Sequence, residues 1–368
     1  MNTRVAPVPP TTPAAVPLLD PLRFQGELDG RSVALYTLRN ANGMVVCISN
    51  YGAKIQQVLV PDRQGRLDDV VLGYDSLDAA VNGASSVGAF IGRYAGRIEN
   101  ARFELNGMRH QLSANNGPHC LHGGVRGSRF RVFDAVQNSP SSVEMRYVFA
   151  DGEEGFPGSL ALRLIYSLLD TNELVLDYEA MALDAATVAS FTTHAFFNLN
   201  GAASGSILGH EMLIPSSQYL ECTPELVATG GVLSVQDSAF DFRQAALLSA
   251  RVPGMLPGYD DCYVVDRSAQ GGDASALALC ARVTSPQSGR SMEVWSTEPA
   301  VQFFTGLKPN EALAGGPGKG GQRYFQQHGF CLEPQGYPNA PNLPNFPSAL
   351  YLPGHLRQGR TSYCFGAS

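Results

Sequence analysis

A chain of 368 residues, 44% hydrophobic and 16% charged, has the composition of a globular protein that buries a large core. Its net charge of −7 and scarce lysine leave no basic patch, which argues against nucleic acid or an anionic membrane surface as partners. The seven cysteines are odd in number and form no CxxC pair; they read as buried thiols of a reducing compartment, so a cytoplasmic location is expected.

Residues 1–21 are rich in Pro, Ala and Thr, lack the apolar stretch of a secretory signal, and are expected to form a disordered extension. Residues 22–368 then read as one domain, with no interior linker and no run of about 18 apolar residues that would span a membrane. Short alternating runs broken by Gly, Pro, Asn and Asp dominate it. Asp75 or Ser76 is placed to cap a short helical turn through Val81. The run Phe103-Glu104-Leu105 meets Asn106-Gly107, a strong signal for a two-residue hairpin turn. Val143, Met145, Tyr147 and Phe149 alternate, as do Leu160, Leu162, Leu164, Tyr166 and Leu168. After a turn at Asp170-Thr171-Asn172 the alternation resumes at Leu174, Leu176, Tyr178 and Ala180. With 39 Gly, 24 Pro and almost no helical periodicity, the fold class expected is all-β, a large antiparallel β-sandwich. The glycine-rich stretch Gly315 to Gly321 lacks the order of a phosphate-binding loop and reads as a flexible surface loop.

Several polar segments carry more than a sandwich needs. Near the C-terminus, Gly329-Phe330-Cys331-Leu332-Glu333-Pro334-Gln335-Gly336-Tyr337-Pro338 sets Glu333 behind an apolar run and before a proline-stiffened segment, which suits a catalytic acid or base at a strand end. Arg93 and Arg97 lie among small residues in Gly92 to Ile98, and His119 and His122 lie in Asn115 to Gly124. His194 stands in an aromatic-rich run, Phe191 to Gly201, expected to be a strand. Asp260 and Asp261 sit beside aromatics, and Gln302 precedes Phe303 and Phe304. Together these supply the acids, bases, hydrogen-bonding groups and rings of a carbohydrate site.

In this order the segments resemble the aldose 1-epimerase, or galactose mutarotase, family from about Phe24 to Phe365. The resemblance is carried by NYGAKI (Asn50 to Ile55), GRYAGRI (Gly92 to Ile98), LHGG (Leu121 to Gly124), THAFFNLNG (Thr193 to Gly201), DFR (Asp241 to Arg243), GYDD (Gly258 to Asp261) and the Glu333 motif. It implies a mutarotase-like supersandwich that interconverts the α and β anomers of a free aldose without cofactor or metal, as a monomer or homodimer. It also implies Glu333 as general base and His194 as general acid, with Arg97, His122, Asp260 and Gln302 holding sugar hydroxyls or assisting ring opening; on chemical grounds an aromatic such as Phe304 is expected to floor the sugar. Gly96, Thr193 and Asp261 stand where many members have Asn, Asn and His.

The chemistry agrees with these residue types. Ring opening removes the anomeric hydroxyl proton and delivers one to the ring oxygen, and after rotation about C1–C2 the two groups exchange tasks. A carboxylate and a histidine suffice, and the expectation is an ionised Glu333 beside a protonated His194. The alternatives are a sugar-binding relative without turnover, a glycosidase using Glu333 and Asp260, and a hexose-6-phosphate epimerase, which the low lysine content disfavours. No HxH or HExxH spacing offers a metal site.

Overall fold

In a computed structural model, the structure describes residues 16–84, 86–251, 258–267, 270, 276–306 and 315–368. Among them, three sheets carry most of the architecture. A nine-stranded sheet runs in the order 134–139, 142–149, 160–168, 173–182, 357–367, 290–296, 278–284, 211–213 and 246–247. A five-stranded sheet orders 228–234, 218–222, 260–264, 300–304 and 331–335, and a four-stranded one joins 35–39, 45–49, 54–61 and 67–69. The ladders in all three are antiparallel, which agrees with the all-β sandwich expected.

The expected hairpin is present. Leu160–Leu168 pairs with Glu173–Ala182, and Leu160, Leu162, Leu164, Tyr166 and Leu168 are all buried on one face. Burying each such side chain contributes about 1.5–3 kcal/mol. They share a core with Tyr263, Val301, Phe303 and Leu332 from one face of the five-stranded sheet, which leaves that sheet's other face for a site. Asn106 and Gly107 both take positive φ, 53° and 74°, as a two-residue turn matching strand twist requires. The short helix Leu77–Asn82 is capped by the Ser76 side chain, which accepts the Ala79 N–H at 3.2 Å. No helix among the described residues is long and apolar enough to cross a membrane.

Two expectations need correction. Disorder does not extend to Pro21: Leu19 is buried, the Leu19 N–H donates to Gln57 Oε1, and Gln57 Nε2 donates to the Pro17 carbonyl. Residues 1–15 of the expected extension lie outside the described residues. The glycine-rich stretch is no free surface loop either, because Lys319 plugs it into the four-stranded sheet. Its ammonium donates to the Gln56 and Val71 carbonyls at 2.7 Å and pairs with Asp69 Oδ2 at 2.5 Å. Lys319→Met removes the charge that compensates a buried Asp69, and should lower unfolding stability by about 3 kcal/mol. An unchanged denaturation midpoint would show that this anchor contributes nothing.

Candidate active site

Strand alternation builds most of the pocket. In the five-stranded sheet Gln302 pairs with Cys262 on one side and Glu333 on the other, while Asp260 pairs with Phe304. Side chains at these registers share one face, and Glu333, Gln335, Gln302, Phe304, Asp260 and Cys262 line a single cavity of about 480 Å³. The intervening Leu332, Phe303, Val301 and Tyr263 point into the core. Glu333 therefore sits in the middle of the strand Cys331–Gln335, not at its end, with Pro334 inside the strand and the rigid segment beginning two residues later.

The opposite wall comes from two short pairings. Arg97 opposes Leu121 where 97–98 pairs with 120–121, which brings Arg97 and His122 to the cavity. His194 directly follows the two-residue strand Thr192–Thr193, which pairs with Phe90–Ile91; the long strand expected around it is absent. His194 and Phe196 both face the cavity. All six expected residues, Glu333, His194, Arg97, His122, Asp260 and Gln302, thus line one pocket.

Glu333 Oε1 lies 3.7 Å from His194 Nε2, and Glu333 Oε2 is buried without a hydrogen-bond partner. A buried carboxyl oxygen left unmatched costs free energy unless a ligand supplies the donor. The imidazole is boxed by Phe196, His122 and Phe304, with ring centroids 5.1, 5.4 and 6.0 Å away. His194 Nδ1 lies 3.4 Å from the Cys331 sulfur. Gln302 Nε2 donates to Asp260 Oδ1 at 2.7 Å, Arg97 Nη1 is 3.8 Å from Asp260 Oδ2, and Arg97 Nε donates to Asn116 Oδ1 at 2.9 Å. His122 Nδ1 accepts the Gly96 N–H at 3.2 Å, so its neutral ring carries the proton on Nε2, facing away as a donor.

Burial works against the expected charges. It raises the Glu333 pKa well above the carboxylate range, with Asp260 adding to the effect, and lowers that of His194 to about 4. His122 is also held well below its usual value, first by burial and then by His194 and the neighbouring arginines. Both shifts disfavour a carboxylate facing an imidazolium and favour the neutral forms of the two groups. A dry pocket favours the neutral arrangement over the ion pair expected from the sequence.

Other singled-out residues are structural. Arg93 is buried and its guanidinium donates to the Pro157 and Gly158 carbonyls and to Thr187 Oγ1. His119 Nδ1 accepts the Asn100 N–H, and Asp261 Oδ2 accepts the Asp260 N–H. The glycine pair after His122 has a steric cause. Gly123 has φ +79°, and a Cβ there would lie 2.3 Å from the Gly92 carbonyl oxygen. Gly123→Ala should cost about 1–3 kcal/mol from overpacking alone and lower the affinity for sugar by displacing His122; wild-type stability and KM together would refute this.

Sequence reading missed Gln335, Cys222, Leu220, Phe196 and Gly315, all of which line the pocket. Gln335 shares the parity of Glu333 and was findable; the others need the strand pairing. Three groups lie close enough to hold a metal ion, His194, Cys331 and Glu333, with ligand atoms within 4.8 Å of one another. Their thiol is fully buried and its pKa is pushed well up by burial, which makes it a poor ligand.

An all-β sandwich carrying a carboxyl and imidazole pair in a pocket of about 480 Å³ suits acid–base chemistry on a small ligand, and comparison with known proteins defines the class as an isomerase. The aldose 1-epimerase family model matches residues 34–364, and the chain belongs to that family. Galactose mutarotase of Bos taurus is 39% identical over 328 residues, covering 88% of this chain and 91% of its own. Aldose 1-epimerase of Escherichia coli K12 is 32% identical over 344 residues, covering 92% and 96%. Among solved structures, a GalM/aldose epimerase homologue from C. elegans superposes with a TM-score of 0.83 at 26% identity, covering 91% of this chain and 99% of that one.

Proposed function

We propose that this protein is an aldose 1-epimerase that opens and recloses the pyranose ring of a free aldose such as galactose or glucose, in one catalytic domain that takes in Pro17 and Leu19 as well as the expected residues 22–368. The observation that carries the reading is the facing of Glu333 Oε1 and His194 Nε2 at 3.7 Å, with a second carboxyl oxygen left without a partner. That gap suits two sugar oxygens bonded to one carbon, the anomeric hydroxyl and the ring oxygen.

In the reacting form Glu333 takes the anomeric proton while His194 gives one to the ring oxygen. The C1–O5 bond breaks, C1 becomes a carbonyl, and rotation about C1–C2 presents its other face. Closure reverses both transfers and leaves the pair as it began. The cycle needs one proton shared by the pair, and the pair is reactive with that proton on the ring. Arg97, Asp260, Gln302 and the Nε2–H of His122 hold the hydroxyls, and Phe304 with Phe196 supports the apolar side of the ring. The seven thiols, none in a disulfide, fit a reducing cytoplasm, and the expected assembly is a monomer or homodimer.

The proton count predicts the pH dependence. A second proton enters only as pH falls toward the lowered His194 value of about 4. Activity should therefore hold as pH falls to about 5 and decline below, whereas an ordinary histidine would place that decline near 6.5. A kcat/KM profile breaking near 6.5 would contradict the assignment. The function itself is tested by NMR saturation transfer between the α and β anomeric protons of galactose at equilibrium. Enzyme-dependent transfer supports the proposal; its absence with galactose, glucose, arabinose and xylose favours a sugar-binding relative without turnover.

A further inference from the structure

A second cavity, about 980 Å³ and twice the size of the sugar pocket, lies across a thin partition from it. The partition is the segment after Glu333: Gln335 and Pro338 line the sugar pocket, and Gly336 and Tyr337 line the second cavity. Its floor is formed by residues of the strands 160–168, 173–182 and 357–367, and one wall is the turn that carries Glu298.

Glu298 has no place in the mechanism above, yet it is set with care. Its Oε1 accepts the Tyr178 hydroxyl at 2.6 Å, and Tyr351 packs nearby with the Arg357 guanidinium 4.8 Å over its ring. Burial raises the Glu298 pKa, and the Tyr178 hydrogen bond, then Arg357 and Arg267, partly offset it.

The charges around the cavity select its ligand. Arg360 is paired with Asp177 at 2.6 Å and Arg163 with Glu179 at 3.0 Å. Arg267 donates to the carbonyls of Ser296, Glu298 and Ala276, and Arg357 to that of Leu350. Arg163 and Arg360 are thus neutralised by carboxylates, while Arg267 and Arg357 act on Glu298, so an anion entering would lie against the Glu298 carboxyl as well as these two guanidiniums. A neutral ligand with hydroxyl donors meets a carboxyl that still has acceptor capacity, flanked by Tyr351, Tyr337, Pro299 and Pro347 for its C–H faces. We infer that this cavity is a second binding site, for a neutral saccharide of two or more units, held by Glu298 and Tyr178 and independent of the sugar pocket.

The probe is methyl β-maltoside, whose blocked anomeric oxygen removes it from ring-opening chemistry. Titration calorimetry of the full chain, with galactose saturating the sugar pocket, should give saturable one-site binding. Glu298→Ala should weaken it about tenfold or more, as expected for loss of charge-assisted hydrogen bonds. Ser348→Trp, a filling substitution at an exposed position on the cavity wall, should abolish it. Both variants should retain galactose turnover, which also reports that they are folded. Absence of saturable binding, displacement by galactose, or indifference to both substitutions would overturn the inference.

Discussion

Glu333→Gln should lower kcat for anomer interconversion by about 10²- to 10⁴-fold, the range a positioned proton transfer contributes. The amide keeps the shape and can still bond sugar hydroxyls, but it cannot take the anomeric proton, so KM should change little. Stability should move the other way. A carboxyl whose folded pKa lies above its unfolded value contributes stability at low pH, and that contribution is lost as pH rises past the unfolded value. Glu333 is such a group, raised by burial and by Asp260, so at neutral pH it burdens the fold and glutamine relieves it. The variant should melt at or above the wild-type temperature at pH 7. A large loss of both activity and stability would make Glu333 a structural residue and sink the catalytic assignment.

His194→Asn should produce a similar loss in kcat, about 10²- to 10⁴-fold, and the double variant should lose little more than either single one. Two groups that pass protons in one concerted cycle act as a unit, so their effects do not add. Multiplicative losses in the double variant would show independent roles. The histidine's own linkage has its sign fixed by a lowered pKa. Wild-type protein loses stability as pH falls from about 6.5 toward 4, because the unfolded histidine takes a proton that the buried one refuses. The Asn variant should show less of this acid-side loss, read as a smaller drop in melting temperature between those pH values.

These expectations rest on burial, which is where the sequence was least legible. The hairpin of 160–168 with 173–182 could be read directly, because alternation has a period of two and an Asn-containing turn ends it. The identity of the six pocket residues came from motif order, and all six line the cavity. Gln335 was within reach by the same alternation that exposes Glu333. Cys222 and Phe196 were not, since their placement depends on which strands and loops lie beside Asp260 and His194. Lys319 misled in the opposite direction: among glycines it looks like a loop residue, and only the acceptors at Gln56, Val71 and Asp69 make it an anchor. The electrostatics of the pair were illegible for a related reason. Pairing a carboxylate with an imidazolium is the expectation for residues in water, and desolvation by Phe196, Phe304 and the strand around Glu333 cannot be counted before the fold is known.

The most direct measurement is polarimetry of freshly dissolved α-D-galactose and α-D-glucose in a poorly catalytic buffer, with wild-type protein and with Glu333→Gln at equal concentration. The account predicts that wild-type protein speeds the approach to an unchanged final rotation while the variant runs close to the uncatalysed rate. Equal acceleration by both proteins would contradict it.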